Sequence, residues 1–360
     1  MVDPHTCPPK TKVELADVVR RLYRCDDCHQ SFWRYHCCRN RACPKCHGSQ
    51  TRRWLEQRQA EVLPCGYFHA VVTLPSELHA LCYRRQKRMY GLLMTVAADA
   101  LKELCVQKRH LGALPGILAV LHTWNGRLGY HPHVHLLITA GGITPDGQHW
   151  ESARGEFLVP VAVLSRKIAS LFREALQAKM PEEFTGIPTE VWKREWVCFV
   201  KHYGHGNDAV LNYLSRYIFR TAISNARILG MDSNHVTFRW KDRKAQSWRT
   251  ERLPGEEFLR RFLQHVLPRG FHKVRYYGLW HPSKRSQSGR AWVLLTLETL
   301  SDATRPTKLA DLLEAFPQGT QDADQVCADT IGDESACPRC PHCKSARTRL
   351  LGEYPRGGVP

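Results

Sequence analysis

Two runs of strand-forming residues, GILAVLHTW at 116–124 and HPHVHLLIT at 131–139, flank the turn sequence NGRLGY. Asn-Gly between such runs signals a β-hairpin, so the two are expected to pair antiparallel. Symmetric closure sets His122 opposite His133 and Trp124 opposite His131. His131, His133 and His135 occupy alternate positions, so a strand presents them on one face. The register brings His122 to that face within cross-strand reach, and a one-residue slip would turn it away. Three imidazoles around one point leave open positions on a cation and suit Mn, Fe, Zn or, less naturally, Mg. Histidines also pack as ordinary side chains in a chain that holds 19 of them. Spacing alone leaves both uses open.

The charge balance narrows the partner. Lys and Arg number 52 against 34 Asp and Glu, a formal +18. Such a surplus favours nucleic acid, with anionic membrane as the rival. The rival needs a spanning segment or a basic amphipathic helix, and no run of 18 apolar residues is present. The start, MVDPHTCPPK, lacks the charged-then-apolar order of a secretion signal. A cytoplasmic protein that meets DNA and no membrane is expected. A cation on the histidine face would then meet phosphate, polarising its oxygen and orienting in-line attack.

The 15 cysteines point to metal in a reducing compartment. Cys25-x2-Cys28 and Cys43-x2-Cys46 are 14 residues apart, and two such knuckles supply the four soft ligands of a structural zinc. His36, Cys37 and Cys38 lie between them, and one could substitute for a knuckle residue or hold a second ion. Arg39, Arg41, Lys45, Arg52 and Arg53 surround the pair, as in a module that grips phosphates. A last group, Cys337, Cys340 and Cys343, offers three ligands and no fourth unless His342 or Cys327 joins; exposed tail cysteines would look the same.

Further strands are expected at 66–74 and 235–240, and helices at 77–110, 161–179, 208–225 and 254–267. On the helix at 208–225, NYLSRYIFR sets Tyr213 and Tyr217 at i, i+4 on one face, flanked by Arg216 and Arg220. They are either packed aromatics or nucleophiles. A tyrosinate attacking DNA phosphorus would leave a 5′-phosphotyrosine and a free 3′-OH, conserving bond energy without ATP. In keeping with that, there is no GxxxxGK[ST] loop. A phenol of pKa ~10 needs help to ionise, and no base is assignable. Residues 271–285, FHKVRYYGLWHPSKR, interleave aromatics with Lys273 and Arg275, as a surface for single-stranded DNA or as an amphipathic strand.

HPHVH, the downstream YLSRY and C-x2-C…RNRACPKC together resemble the HUH (His–hydrophobic–His) transposases of bacterial insertion sequences, most closely the IS91 group of rolling-circle elements. YFHAVVTLPSEL, LHTWNG and FLRRFLQHVLPRGFHKVRYYGLW are also similar to that group, and the resemblance covers residues 20–285. It implies an α+β fold: a central antiparallel sheet with packed helices, the tyrosine helix beside the histidine strand, and an N-terminal zinc-binding module. It implies a metal pair, His133 and His135, with Val134 between them, and Tyr213 and Tyr217 as nucleophiles. It makes Cys25, Cys28, Cys43 and Cys46 zinc ligands, with Cys38 an additional cysteine and Cys37 standing where Ser is more usual. Mg²⁺ or Mn²⁺ would serve the catalytic site and Zn²⁺ the module. One tyrosine would nick single-stranded DNA at an element end while the other attacks the target. A plasmid replication initiator or relaxase shares this chemistry, and a non-catalytic zinc protein that only binds nucleic acid is the alternative of another class.

The expected division is a zinc module at 1–60, the catalytic domain at 61–225 and a basic, aromatic part at 226–300. An acidic linker at 301–336 and a cysteine-containing tail at 337–360 follow.

Overall fold

The computed structural model describes residues 19–35, 62–213, 217–218, 221–242, 244–299 and 339–355. Its centre is an antiparallel sheet of β3 (Gly66–Thr73), β4 (Leu114–Trp124), β5 (Tyr130–Ile143), β7 (Cys198–His205) and β11 (Val274–Gly278). The spatial order is β11-β4-β5-β3-β7, and β6 (Trp150–Ser152) pairs with the end of β5. This is the α+β architecture expected, and the hairpin strands lie at its middle.

Both faces of the sheet are covered, which explains why β4 and β5 are buried along most of their length rather than at alternate residues. On one face Phe68, Ala70, Val72, Ile117, Ala119, Val134, Leu136 and Ile138 lie buried against α1 (Gln86–Cys105) and α2 (Val161–Lys179). Met89, Leu93, Ala97, Leu101 and Leu104 of α1 recur at helical spacing and supply the covering stripe. Each fully buried Leu there contributes about 2 kcal/mol. On the other face Tyr67, Leu118, Val120 and Leu137 pack with residues of α3 (Gly206–Tyr213) and α5 (Arg285–Thr299). Strand periodicity then places His69, His122, His133 and His135 on this second face.

The hairpin keeps the expected register at His122 and His133 but not beyond. A bulge follows, and Trp124 opposes Tyr130 instead of His131. The turn is asymmetric because the Asn125 carboxamide oxygen accepts from the amides of Arg127 and Gly129, with Leu128 in the left-handed region. A Cβ at Gly129 would stand 2.7 Å from the Asn125 side chain. Leu128 is buried in a second core under β8 (Ile228–Met231), β9 (His235–Asp242), β10 (Ser247–Pro254) and α4 (Gly255–Leu263). Gln264 donates to the Leu128 carbonyl at 2.8 Å and fixes that junction.

Two expected helices are interrupted. The 77–110 segment breaks at Arg85 (φ −121°, ψ 41°), between His79–Arg84 and α1. In the 208–225 segment the described residues are α-helical through Gly206–Tyr213, π-helical at Tyr217 and Ile218, and not helical at 221–224.

The chain ends also meet. β1 (Val19–Cys25) pairs with β2 (Ser31–Tyr35) on one side and β12 (Thr348–Pro355) on the other. The residues expected to form a separate tail thus complete the N-terminal sheet. Among the described residues no helix is long and apolar enough to cross a membrane.

Candidate active site

His122, His133 and His135 each turn a ring nitrogen toward a common point, and these atoms lie within 4.8 Å of one another. One nitrogen of each ring is hydrogen-bonded. His122 Nε2 donates to the Tyr217 carbonyl at 2.6 Å, and His133 Nδ1 donates to the His131 carbonyl at 2.7 Å. His135 Nδ1 meets His69 Nε2 at 2.9 Å. A carbonyl can only accept, so the first two bonds fix their tautomers. Metal-ligating histidines commonly hold their second nitrogen this way. Burial, with the neighbouring His135 and Lys273, pushes the His122 pKa well below its ordinary value, and burial brings that of His69 down to about 4. Both rings stay neutral near pH 7, the form that binds a cation.

The tyrosines stand against this cage. The Tyr217 ring centroid is 4.2 Å from that of His135 and 4.8 Å from that of His69. The Tyr213 ring lies 4.8 Å from Tyr217 and 5.6 Å from His69. Their environments differ: Tyr217 is half-buried, while Tyr213 is fully buried and its hydroxyl has no hydrogen-bond partner among the described residues. Burial holds the Tyr213 pKa well above 10. A buried hydroxyl without a partner costs about 1–3 kcal/mol, so packing alone would favour Phe there.

The π-helical turn is tied down at two carbonyls, by His122 at Tyr217 and by Lys273 Nζ at Ile218, 3.0 Å away. Lys273 also lies over the Trp124 ring at 5.3 Å. Lys273, one of the expected DNA contacts, thus also reaches the tyrosine segment. Arg275, the other candidate from that stretch, projects to the opposite face of the sheet, over Phe271 and beside Gly91 of α1. Arg39, Arg41, Arg216 and Arg220 lie outside the described residues.

A second cluster joins the two chain ends. Cys25 Sγ is 3.5 Å from Cys343 Sγ, Cys28 Sγ is 3.6 Å from Cys340 Sγ, and all four sulfurs lie within 4.8 Å of one another. Tetrahedral zinc with 2.3 Å bonds spaces its sulfurs about 3.8 Å apart. The two knuckles are alike in backbone: the Cys25 amide donates to Gln30 O and the Cys340 amide to Ser345 O. Each is followed by a left-handed residue, His29 (φ 56°) and Lys344 (φ 63°). Cys25 and Cys28 thus stand together with Cys340 and Cys343, a pairing that their spacing to Cys43 and Cys46 did not suggest. The cause is the β1–β12 pairing, which sets Cys25 opposite Thr348, with the Asp26 amide on Arg347 O and Asp27 bonded to Ser345 and Arg347. Cys38, Cys43 and Cys46 lie outside the described residues.

Comparison with known proteins gives this geometry its context. Residues 15–74 match a family described as "Transposase zinc-binding domain", and residues 116–288 match one described as "Putative transposase". The chain is 39% identical over 297 residues to "Putative transposase y4qJ" of Sinorhizobium fredii, an alignment covering 77% of this chain and 75% of that one. The chain belongs to the IS91 family of transposases. It is also 30% identical over 275 residues to the transposase for insertion sequence element IS801 of Pseudomonas savastanoi, covering 71% of this chain and 65% of that protein. No solved structure matches.

In this transposase the 116–288 match spans the three cage histidines, both tyrosines and Lys273. The zinc-binding match contains Cys25 and Cys28 but stops far short of Cys340 and Cys343. His69 is the site residue that sequence reasoning missed. It lies on β3, which pairs with β5 on the side away from β4, and only knowledge of that strand order relates it to His135.

Proposed function

We propose that this transposase cleaves single-stranded DNA at element ends through a metal-dependent tyrosine nucleophile, with Tyr217 acting first, and moves strands by a rolling-circle mechanism. The observation that carries the reading is the Tyr217 ring standing 4.2 Å from that of the cage residue His135. His122 Nδ1, His133 Nε2 and His135 Nε2 would hold Mg²⁺ or Mn²⁺, since the opposite nitrogens are engaged. The cation, when bound, supplies polarisation of a phosphoryl oxygen. The Tyr217 oxygen attacks phosphorus, the bond to the 3′-oxygen breaks, and the 3′-oxygen leaves with a proton. The products are a 5′-phosphotyrosine and a 3′-OH. Tyr213 serves the second transfer, once the turn above it lets its hydroxyl reach solvent and DNA.

The test is a denaturing gel with labelled single-stranded element ends. A covalent protein–DNA band is expected with Mg²⁺ or Mn²⁺, lost on chelation and lost in His133→Ala. A band of equal strength in His133→Ala would refute the cage.

His69 orients His135 in this account. His69→Leu removes the acceptor and is expected to weaken Mn²⁺ binding, followed by electron paramagnetic resonance, by about 10–100-fold. His69→Gln, whose amide oxygen can still accept, is expected to retain most of it. Equal losses in both variants would mean that His69 only fills space.

A further inference from the structure

The sequence YRRQKR at 83–88 occupies the break between helix His79–Arg84 and α1 and belongs to none of the machinery above. It lines an open cavity of about 610 Å³, together with Pro268. Arg84, Arg85, Lys87 and Arg88 are all exposed. Glu183 holds Arg85 at 2.8 Å, while Arg84, Lys87 and Arg88 make no ion pair among the described residues. Arg84 stands on one side of the break and Lys87 and Arg88 on the other, and lining one cavity sets these like charges to repel one another. An anion laid between them relieves that repulsion.

A line of rings runs from the cation cage to this groove. Centroids are 5.3 Å apart between His133 and His131, and 5.9 Å apart between His131 and His79. The line continues at 5.9 Å from His79 to Tyr130 and at 5.4 Å from Tyr130 to Tyr83, which is 51% exposed. His131, His79 and Tyr130 are half-buried and pack edge to face along this line, and Tyr83 at its end is open to a base. An exposed ring beside cations suits an unpaired strand: a base stacks on the ring while phosphates follow the charges. Paired bases in a duplex cannot offer their faces.

We propose that the single strand flanking the cleaved phosphate runs from the cage past His131, His79 and Tyr83, and is held by Arg84, Lys87 and Arg88. This rests on the nicking role above for where the strand starts, but its test reads binding rather than cleavage.

The full chain is titrated against a fluorescent mixed-sequence single-stranded oligonucleotide at several salt concentrations. Arg84→Gln/Lys87→Gln/Arg88→Gln is compared with Arg173→Gln/Lys179→Gln/Lys193→Gln, which removes the same charge from exposed positions elsewhere. Circular dichroism and melting verify that both variants fold. The groove variant is expected to lose affinity about tenfold or more. Its log–log salt slope should flatten by about two, from ~0.7 per lost phosphate contact. The control is expected to match the parent, and Tyr83→Ala to weaken binding roughly tenfold without changing the slope. Equal behaviour of the two triple variants would overturn the proposal, leaving only the general charge of the protein. So would equal loss of duplex and single-strand binding in the groove variant. Failure of cleavage in the parent with groove binding intact would strike the nicking role alone.

Discussion

Phenylalanine at position 217 is expected to lower single-turnover cleavage of a single-stranded element end by at least ~10³-fold, while phenylalanine at 213 leaves the first cleavage within a few-fold of the parent. The asymmetry follows from placement. Tyr217 is half-buried with its ring against both His135 and His69, whereas the Tyr213 hydroxyl is sealed away with no partner among the described residues. Ionising Tyr213 where it lies would put an unpaired charge in an apolar site, which its raised pKa expresses. Tyr213→Phe removes an unsatisfied buried hydroxyl and is expected to leave stability unchanged or raise it by about 1 kcal/mol. Strand joining, which needs a second nucleophile, is where that variant should fail. Normal cleavage by Tyr217→Phe, with Tyr213→Phe inactive, would reverse the order of use.

The second large effect concerns the chain ends. Cys340→Ser is expected to lower bound zinc by one equivalent and to open residues 19–35 to protease as fully as Cys25→Ser does. Four thiolates on zinc contribute on the order of 10 kcal/mol in small domains. Among the described residues β1, β2 and β12 pair only with one another, and a small sheet needs a packed apolar face to be stable by itself. Removal of residues 337–360 should therefore damage the N-terminal module although it begins more than 300 residues away. Full zinc content in Cys340→Ser, with loss in Cys25→Ser, would show that the C-terminal knuckle is no ligand.

How much of this was legible beforehand follows from sequence distance. The hairpin could be registered because its strands are adjacent and its turn has a known signature, so His122 was found opposite His133. The Trp124 pairing was misplaced because the Asn125 side chain closes the turn asymmetrically, which no alternation pattern encodes. The tyrosine pair was legible as a spacing. Its π-helical setting was not, because it depends on carbonyl contacts from His122 and Lys273. His69 and the zinc tetrad share one obstacle. Each depends on strands that pair across long stretches of chain, β3 with β5 and β1 with β12. The nearest CxxC was the natural partner for Cys25 and Cys28 by spacing, and no local pattern points to the knuckle before β12 that gathers with them.

The account stands on one phosphorus reached by both a histidine-held cation and the Tyr217 oxygen. Mass spectrometry of the peptide left on a cleaved, trypsin-digested single-stranded element end measures this directly. The prediction is a 5′-phosphate esterified to Tyr217, formed with Mn²⁺ and absent after chelation or in His135→Ala. DNA linked to any residue other than Tyr217 in the first cleavage, or linked equally well in His135→Ala, would contradict it.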